Sequence, residues 1–189
     1  MPDANDVELI LRINRGSEDA FKGLVKKYQR RTYWIAYNML SDYDLAQDIS
    51  QEAFVRVYKS LRQFDTKRNF YTWLYQIVVN LCIDHIRKYR SSKTSSIEQV
   101  GDITDADNTP DEVAQNVESK DEVKVALNKL PSKYKAVLTL RDIQGFSCDE
   151  IAEIVGCPSA TVRWRIYKAR KLFKELWNNN VSNVGEIDD

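Results

Sequence analysis

This 189-residue chain has only one histidine, His85, and three cysteines, Cys82, Cys148 and Cys157. None stands at metal-ligand spacing, so a Cys/His zinc site is excluded. The cysteines are odd in number and lie on apolar faces or in a turn, which reads as buried thiols. A Gly-rich phosphate loop is also missing, and carboxylates do not cluster on a basic background. Together these absences leave no catalytic constellation, and a protein with no enzymatic activity, cofactor or metal is expected. No apolar run approaches the roughly 20 residues that span a membrane, and the N-terminus carries no signal peptide. A cytoplasmic location is therefore expected. Alternation with period two never lasts long enough to suggest a sheet. The composition, 43% hydrophobic and 30% charged, is that of a soluble globular chain, and the fold class expected is all-α.

A formal net charge of zero hides a strong segregation. Residues 1–90 hold 15 Lys/Arg against 11 Asp/Glu, residues 91–122 hold 2 against 9, and residues 123–180 hold 11 against 5. Two basic blocks flank an acidic strip, an arrangement that suits two nucleic-acid-facing modules. From Ser91 to about Glu118 the chain is rich in Ser, Thr, Asp, Asn and Gln, with Gly101 and Pro110 and little periodicity. Such a segment buries too little to fold alone, so a flexible acidic linker is expected over 91–118. It separates a helical domain at 1–90 from a second at 119–178. Residues 179–189 are expected to form a disordered tail for the same reason.

The stretch from Ser147 to Lys174 is the richest in information. Ser147, Asp149 and Glu150 open a short helix with Ile151, Ala152 and Val155 on one face. Gly156, Cys157, Pro158 and Ser159 supply a turn, in which Gly permits positive φ and Ser159 can cap the next helix. That second helix is expected from about Ala160 to Trp177. Its buried stripe is Val162, Ile166, Ala169, Phe173 and Leu176, spaced by four and three. The remainder carries Arg163, Arg165, Lys168, Arg170, Lys171 and Lys174, with no acid between Glu153 and Glu175. A solvated helix mixes signs to gain i,i+4 pairs. This one omits them, and a polyanion in contact with it explains the omission. A basic second helix after a tight turn fits the major groove.

The N-terminal block predicts four helices. Val7, Leu9, Ile10 and Ile13 define the first, ended near Gly16. Ser17 opens a second through Tyr28 to Leu40, with a break allowed between its halves. Asp42 and Asp44 open a third to about Leu61, with Leu45, Ile49, Ala53 and Val57 spaced by four. A fourth runs from about Tyr71 to Arg90. In the C-terminal block a helix over 121–129 stops at Pro131, and another leads from Ser132 to a break at Gly145. The third helix carries a polar face of Asp44, Gln47, Asp48, Gln51 and Glu52, whose plain reading is solvated surface. The fourth opens with four aromatics in six residues, Phe70, Tyr71, Trp73 and Tyr75, more than one helical face can bury. With Arg87, Lys88 and Arg90 nearby, they could stack unpaired bases at about 1–3 kcal/mol each. Core packing is the alternative for these rings and the reading preferred for Trp73, Leu74 and Ile77.

Five stretches in order carry a family resemblance: Asp48 to Phe54, Phe70 to Tyr75, Asn80 to Lys88, Leu130-Pro131, and Glu150 through Arg170. They resemble an extracytoplasmic-function sigma factor of the sigma-70 family, in the style of its envelope-stress branch, over about residues 5–177. The resemblance implies a sigma-2-like domain at 1–90 and a sigma-4-like helix-turn-helix domain at 119–178. Its implied function is promoter-specific transcription initiation, and its implied partners are core RNA polymerase (β′ clamp helices and β flap) and promoter DNA. An anti-sigma factor, free or membrane-anchored, is a further implied partner. Asp48, Gln51 and Glu52 would bind the polymerase. Asp65, Lys67, Arg68, Asn69, Phe70, Tyr71, Tyr75, Asn80, Asp84, Arg87 and Lys88 would meet the minus-10 element, with the Asp65–Asn69 loop holding a flipped base. Arg163, Trp164, Tyr167 and Lys168 would read the minus-35 element, with Arg165, Arg170 and Lys171 nearer the phosphates. The linker would thread toward the RNA path.

Two departures stand out. Ala160 replaces a usual turn glycine, and Trp164 stands where a small polar residue is common, so the family's typical minus-35 sequence does not transfer. A stand-alone helix-turn-helix regulator would account for Ser147–Lys174 but leave the aromatic segment and the Asp48 face idle.

Overall fold

The computed structural model describes residues 3–95 and 123–184, with side chains for residues 3–89 and 123–178. Among the described residues the fold is entirely helical: α1 (Ala4–Asn14), α2 (Glu18–Leu40), α3 (Tyr43–Ser60), α4 (Phe70–Ser95), α5 (123–129), α6 (Ser132–Leu138), α7 (Cys148–Val155) and α8 (Ser159–Val184). Short polar side chains start the helices. Asp3, Ser17 and Asp42 accept from the backbone N–H of Asn5, Ala20 and Leu45, satisfying donors that have no intrahelical partner. Ser41 ends α2 in the left-handed region at φ 60.

Three of the expected boundaries move, and the expected break at Gly145 holds. The second helix runs unbroken from Glu18 to Leu40, because no Gly or Pro follows Gly23 and buried Tyr28, Thr32, Ile35, Ala36 and Met39 carry one stripe across the join. Helix α4 continues to Ser95, so the first residues of the expected linker are helical, and 96–118 lie outside the described residues. Helix α8 continues to Val184, past the start of the expected tail, since no Gly or Pro intervenes between Pro158 and Gly185. Between α6 and Gly145 the chain widens into a π-helical turn, Thr139–Ile143, with the Gln144 N–H donating to the Thr139 carbonyl at 3.0 Å.

Helices α1 to α4 form one packed body, with α2 against α1, α3 and α4, and α3 against α4. Ile10, Leu24, Ile35, Met39, Ala46, Ala53, Val57, Phe70, Leu74 and Val78 fill it. Each large apolar side chain contributes about 1.5–3 kcal/mol by leaving water. Asp6, buried within α1, accepts from Lys27 Nζ at 2.6 Å and from the Tyr28 hydroxyl, which ties α1 to α2. In the second body α8 lies on α6 and α7, burying Val162, Ile166 and Ala169 beside Ile151, Ile154 and Leu138.

The two bodies also touch. Helix α4 packs against α7. Phe146, 2% exposed, sits 5.5 Å from the Tyr75 ring and 6.3 Å from Tyr71, stacked at 12° on the latter. The Arg31 guanidinium lies 4.1 Å from the Phe146 ring and donates to the Gln144 carbonyl at 2.6 Å.

Candidate nucleic-acid interface

The helix-turn-helix is built by local chemistry. The Ser147 hydroxyl accepts from the Glu150 N–H at 3.2 Å, and Glu150 Oε2 accepts from the Ser147 N–H at 2.7 Å. This reciprocal pair starts α7 and satisfies two otherwise orphaned donors. Gly156, at φ 65, ends it in the left-handed region that a side chain would disfavour. Helix α8 then turns Val162, Ile166 and Ala169 inward. Arg163, Trp164, Tyr167, Arg170 and Lys171 lie exposed, and Arg165 and Lys168 are half-buried. Trp164 leans on buried Tyr134, with ring centroids 6.4 Å apart.

Arg170 differs from its neighbours. Its guanidinium grips Asp142 through two bonds, Nη2 to Oδ1 at 2.5 Å and Nε to Oδ2 at 3.1 Å. The expected phosphate contact is thus committed, in this arrangement, to bracing the π-helical turn against α8.

The expected minus-10 residues divide into two groups. Asp65, Lys67 and Arg68 are exposed on the loop before α4, where Asp65 Oδ1 accepts from the Lys67 N–H at 2.9 Å and shapes the turn. Asn69 is half-buried, and its carbonyl accepts from the Thr72 hydroxyl at 2.9 Å. Asn80, Asp84, Arg87 and Lys88 are exposed along α4 at spacings of three and four, so they share one outward stripe.

Phe70 and Tyr75 depart from the expectation of base stacking. Phe70 is 2% exposed, between Tyr28, Phe64 and Trp73, and Tyr75 is 1% exposed, against Tyr28 and Phe146. Both are core residues, because α4 is covered on one side by α2 and α3 and on the other by α7. Tyr71 is half-buried, and its hydroxyl donates to Glu150 Oε1 at 2.7 Å. Burial, then that carboxylate, push its pKa up to about 12.

Asp48, Gln51 and Glu52 are exposed on one side of α3, with Gln47 and Asp44. Glu52 pairs with Arg56 at 2.8 Å, one turn on. Val55, 45% exposed, extends the same row. Sequence reasoning missed it because a lone valine at a helix surface carries no signal by itself. Also missed was a groove of ≈ 360 Å³ between α3 and α4, lined by Arg56, Ser60, Gln63, Trp73, Ile77 and Asn80. Of these only Asn80 was expected at the interface, and Trp73, read as core, forms one wall.

All three cysteines are thiols, and burial pushes Cys82 up to about 12. Among the described residues no three His, Cys, Asp or Glu side chains converge as a metal site, and no helix is long and apolar enough to cross a membrane.

Residues 24–92 match Sigma-70 region 2, and residues 120–173 match Sigma-70, region 4. The chain is 34% identical over 174 residues to the ECF RNA polymerase sigma factor SigW of Bacillus subtilis (strain 168), covering 88% of this chain and 93% of SigW. It is 33% identical over 174 residues to the ECF RNA polymerase sigma-E factor of Escherichia coli (strain K12), covering 88% and 91%. Among solved structures, CnrH in complex with the cytosolic domain of CnrY superimposes with a TM-score of 0.69 at 25% identity, covering 93% of this chain and 98% of that one. Both halves of the molecule are accounted for, which a stand-alone helix-turn-helix regulator would not achieve. The chain belongs to the sigma-70 family, among the ECF RNA polymerase sigma factors.

Proposed function

We propose that this sigma factor directs core polymerase to promoters by reading a minus-35 element with α8 and opening a minus-10 element with the loop 65–69 and the outward stripe of α4. It carries out no chemistry itself and leaves RNA synthesis to the polymerase. The observation that carries this reading is the outward presentation of Arg163, Trp164, Tyr167 and Lys171 on a helix without an acid between Glu153 and Glu175. A second exposed set, Asn80, Asp84, Arg87 and Lys88, lies on the other half of the same chain. The row Asp48, Gln51 and Glu52 carries two carboxylates that repel phosphate, and it suits a protein partner, here the clamp of the polymerase. The β flap is proposed as a further contact of the C-terminal half.

Of the three aromatics expected at the minus-10 element, Phe70 and Tyr75 are buried and Tyr71 is half-buried, with its hydroxyl and ring engaged by Glu150 and Phe146. Stacking of a base on Tyr71 would therefore require α7 to lift off α4. A partner that stabilises the closed arrangement would act as an inhibitor, and an anti-sigma factor is proposed in that role.

In a reconstituted transcription assay, core polymerase should start at defined promoters only when this chain is added. Equal promoter-specific initiation without it would refute the proposal. Within α8, Arg163→Ala should relax base preference at one position of the minus-35 element by about 1–3 kcal/mol. Lys171→Ala should instead weaken all promoters alike and reduce the salt slope by about one. Selection from a randomised minus-35 library distinguishes the two effects, and identical enriched sequences for wild type and Arg163→Ala would remove Arg163 from the reading surface.

A further inference from the structure

Trp164 and Tyr167 pose a problem that charge does not solve. They are 56% and 70% exposed, three residues apart on α8, among cations that would suffice to hold a phosphate backbone. Leaving an indole and a phenol ring in water forgoes the burial that stabilises aromatic side chains elsewhere. The indole is also propped in place. Tyr134 lies 6.4 Å behind it at an interplanar angle of 55°, and Lys133 Nζ sits 5.0 Å from the Tyr134 ring. Trp164 therefore projects from the helix as a supported wedge.

The occupant of this surface follows from its surroundings. Arg163 and Lys168 flank the rings, and the helix has no acid until Glu175, so a polyanion is favoured over an apolar protein surface. In the major groove the apolar group offered by a base edge is the C5 methyl of thymine. An indole presents a single N–H donor and no acceptor, so its face suits that methyl group better than it suits the polar edges of guanine or cytosine. We infer that Trp164 and Tyr167 read thymine C5 methyl groups within the minus-35 element, a specificity supplied by apolar contact beside the hydrogen bonds of Arg163. The inference rests on the minus-35 reading proposed above and names the chemistry it recognises.

A methyl group leaving water contributes about 0.8 kcal/mol, so each contact should be worth about four-fold in affinity. The test uses holoenzyme reconstituted with core polymerase. A randomised minus-35 library is selected first, and each thymine of the enriched site is then replaced singly by uracil, which removes only the methyl group. One or two such replacements should weaken binding about four-fold, and the loss should vanish in Trp164→Ala or Tyr167→Ala. The comparison of thymine with uracil in the wild-type holoenzyme changes only the DNA, so that arm does not depend on how a variant folds. An enriched site whose thymine and uracil forms bind equally overturns the methyl reading while leaving the minus-35 assignment standing, and would redirect the rings to a protein partner. If no sequence is enriched at all, the minus-35 assignment fails as well.

Discussion

Phe70→Ala should lower the stability of the protein by about 3–5 kcal/mol, the cost of removing a buried aromatic and leaving a cavity. Phe70 is 2% exposed, and the rings of Tyr28, Phe64 and Trp73 stand 5.4, 5.8 and 5.9 Å away. The removed ring leaves three aromatic neighbours without a packing partner, which places the change among core truncations. Against a total stability of about 5–15 kcal/mol, that is a large fraction. Chemical denaturation followed by circular dichroism measures it. Any effect on transcription should then follow folding, with duplex and pre-melted templates impaired alike. Tyr71→Ala should behave differently. Its ring is half-buried, so stability should fall less, and open-complex formation should slow on duplex promoters more than on pre-melted ones. A Phe70→Ala protein that unfolds like wild type yet fails only on duplex promoters would return Phe70 to the DNA interface.

Combined Asp48→Arg and Glu52→Arg should reduce affinity for core polymerase by about 100-fold or more. Reversing a charge at a complementary interface places like charges together and costs several kcal/mol. The free protein should lose little. Both side chains are exposed, and the Glu52–Arg56 pair, itself about half exposed, is of the surface type worth about 0–1 kcal/mol. Helical content and the denaturation midpoint should therefore remain near wild type, which separates loss of docking from loss of fold. Competition with unmodified protein for a limiting amount of core measures the affinity. Undiminished competition by the double variant would show that the row is merely solvated.

Much of the molecule is legible from local rules. Ser17, Asp42 and Ser147 announce helix starts because a short polar side chain can reach an unpaired N–H two or three residues on. Gly156 announces a stop because only glycine enters the left-handed region freely. The stripe Val162, Ile166 and Ala169 predicts its own burial, since spacings of four and three return to one face. The acid-free run from Ala160 to Lys174 shows which face looks outward. Each inference involves residues within one or two turns of each other, where the backbone geometry is known before the fold is.

Helix α4 marks where such reasoning ends. Phe70, Tyr71, Trp73 and Tyr75 crowd six positions, and periodicity cannot choose among them because the helix is buried on two sides. Tyr28 reaches Phe70 and Tyr75 from α2, whereas Phe146 and Glu150 reach Tyr71 from more than 70 residues later in the chain. Tyr28 of α2 and Phe146, just before α7, together make Tyr75 core, and the docking of α7 places Glu150 on Tyr71. Arg170 follows the same logic, since Asp142 lies 28 residues earlier and meets it through the π-helical turn. Sequence alone determined which helices form and which of their faces are apolar or basic, because those properties are set by neighbours along the chain. Tertiary structure alone decided which aromatic and charged side chains remain exposed, because their competitors arrive from distant segments.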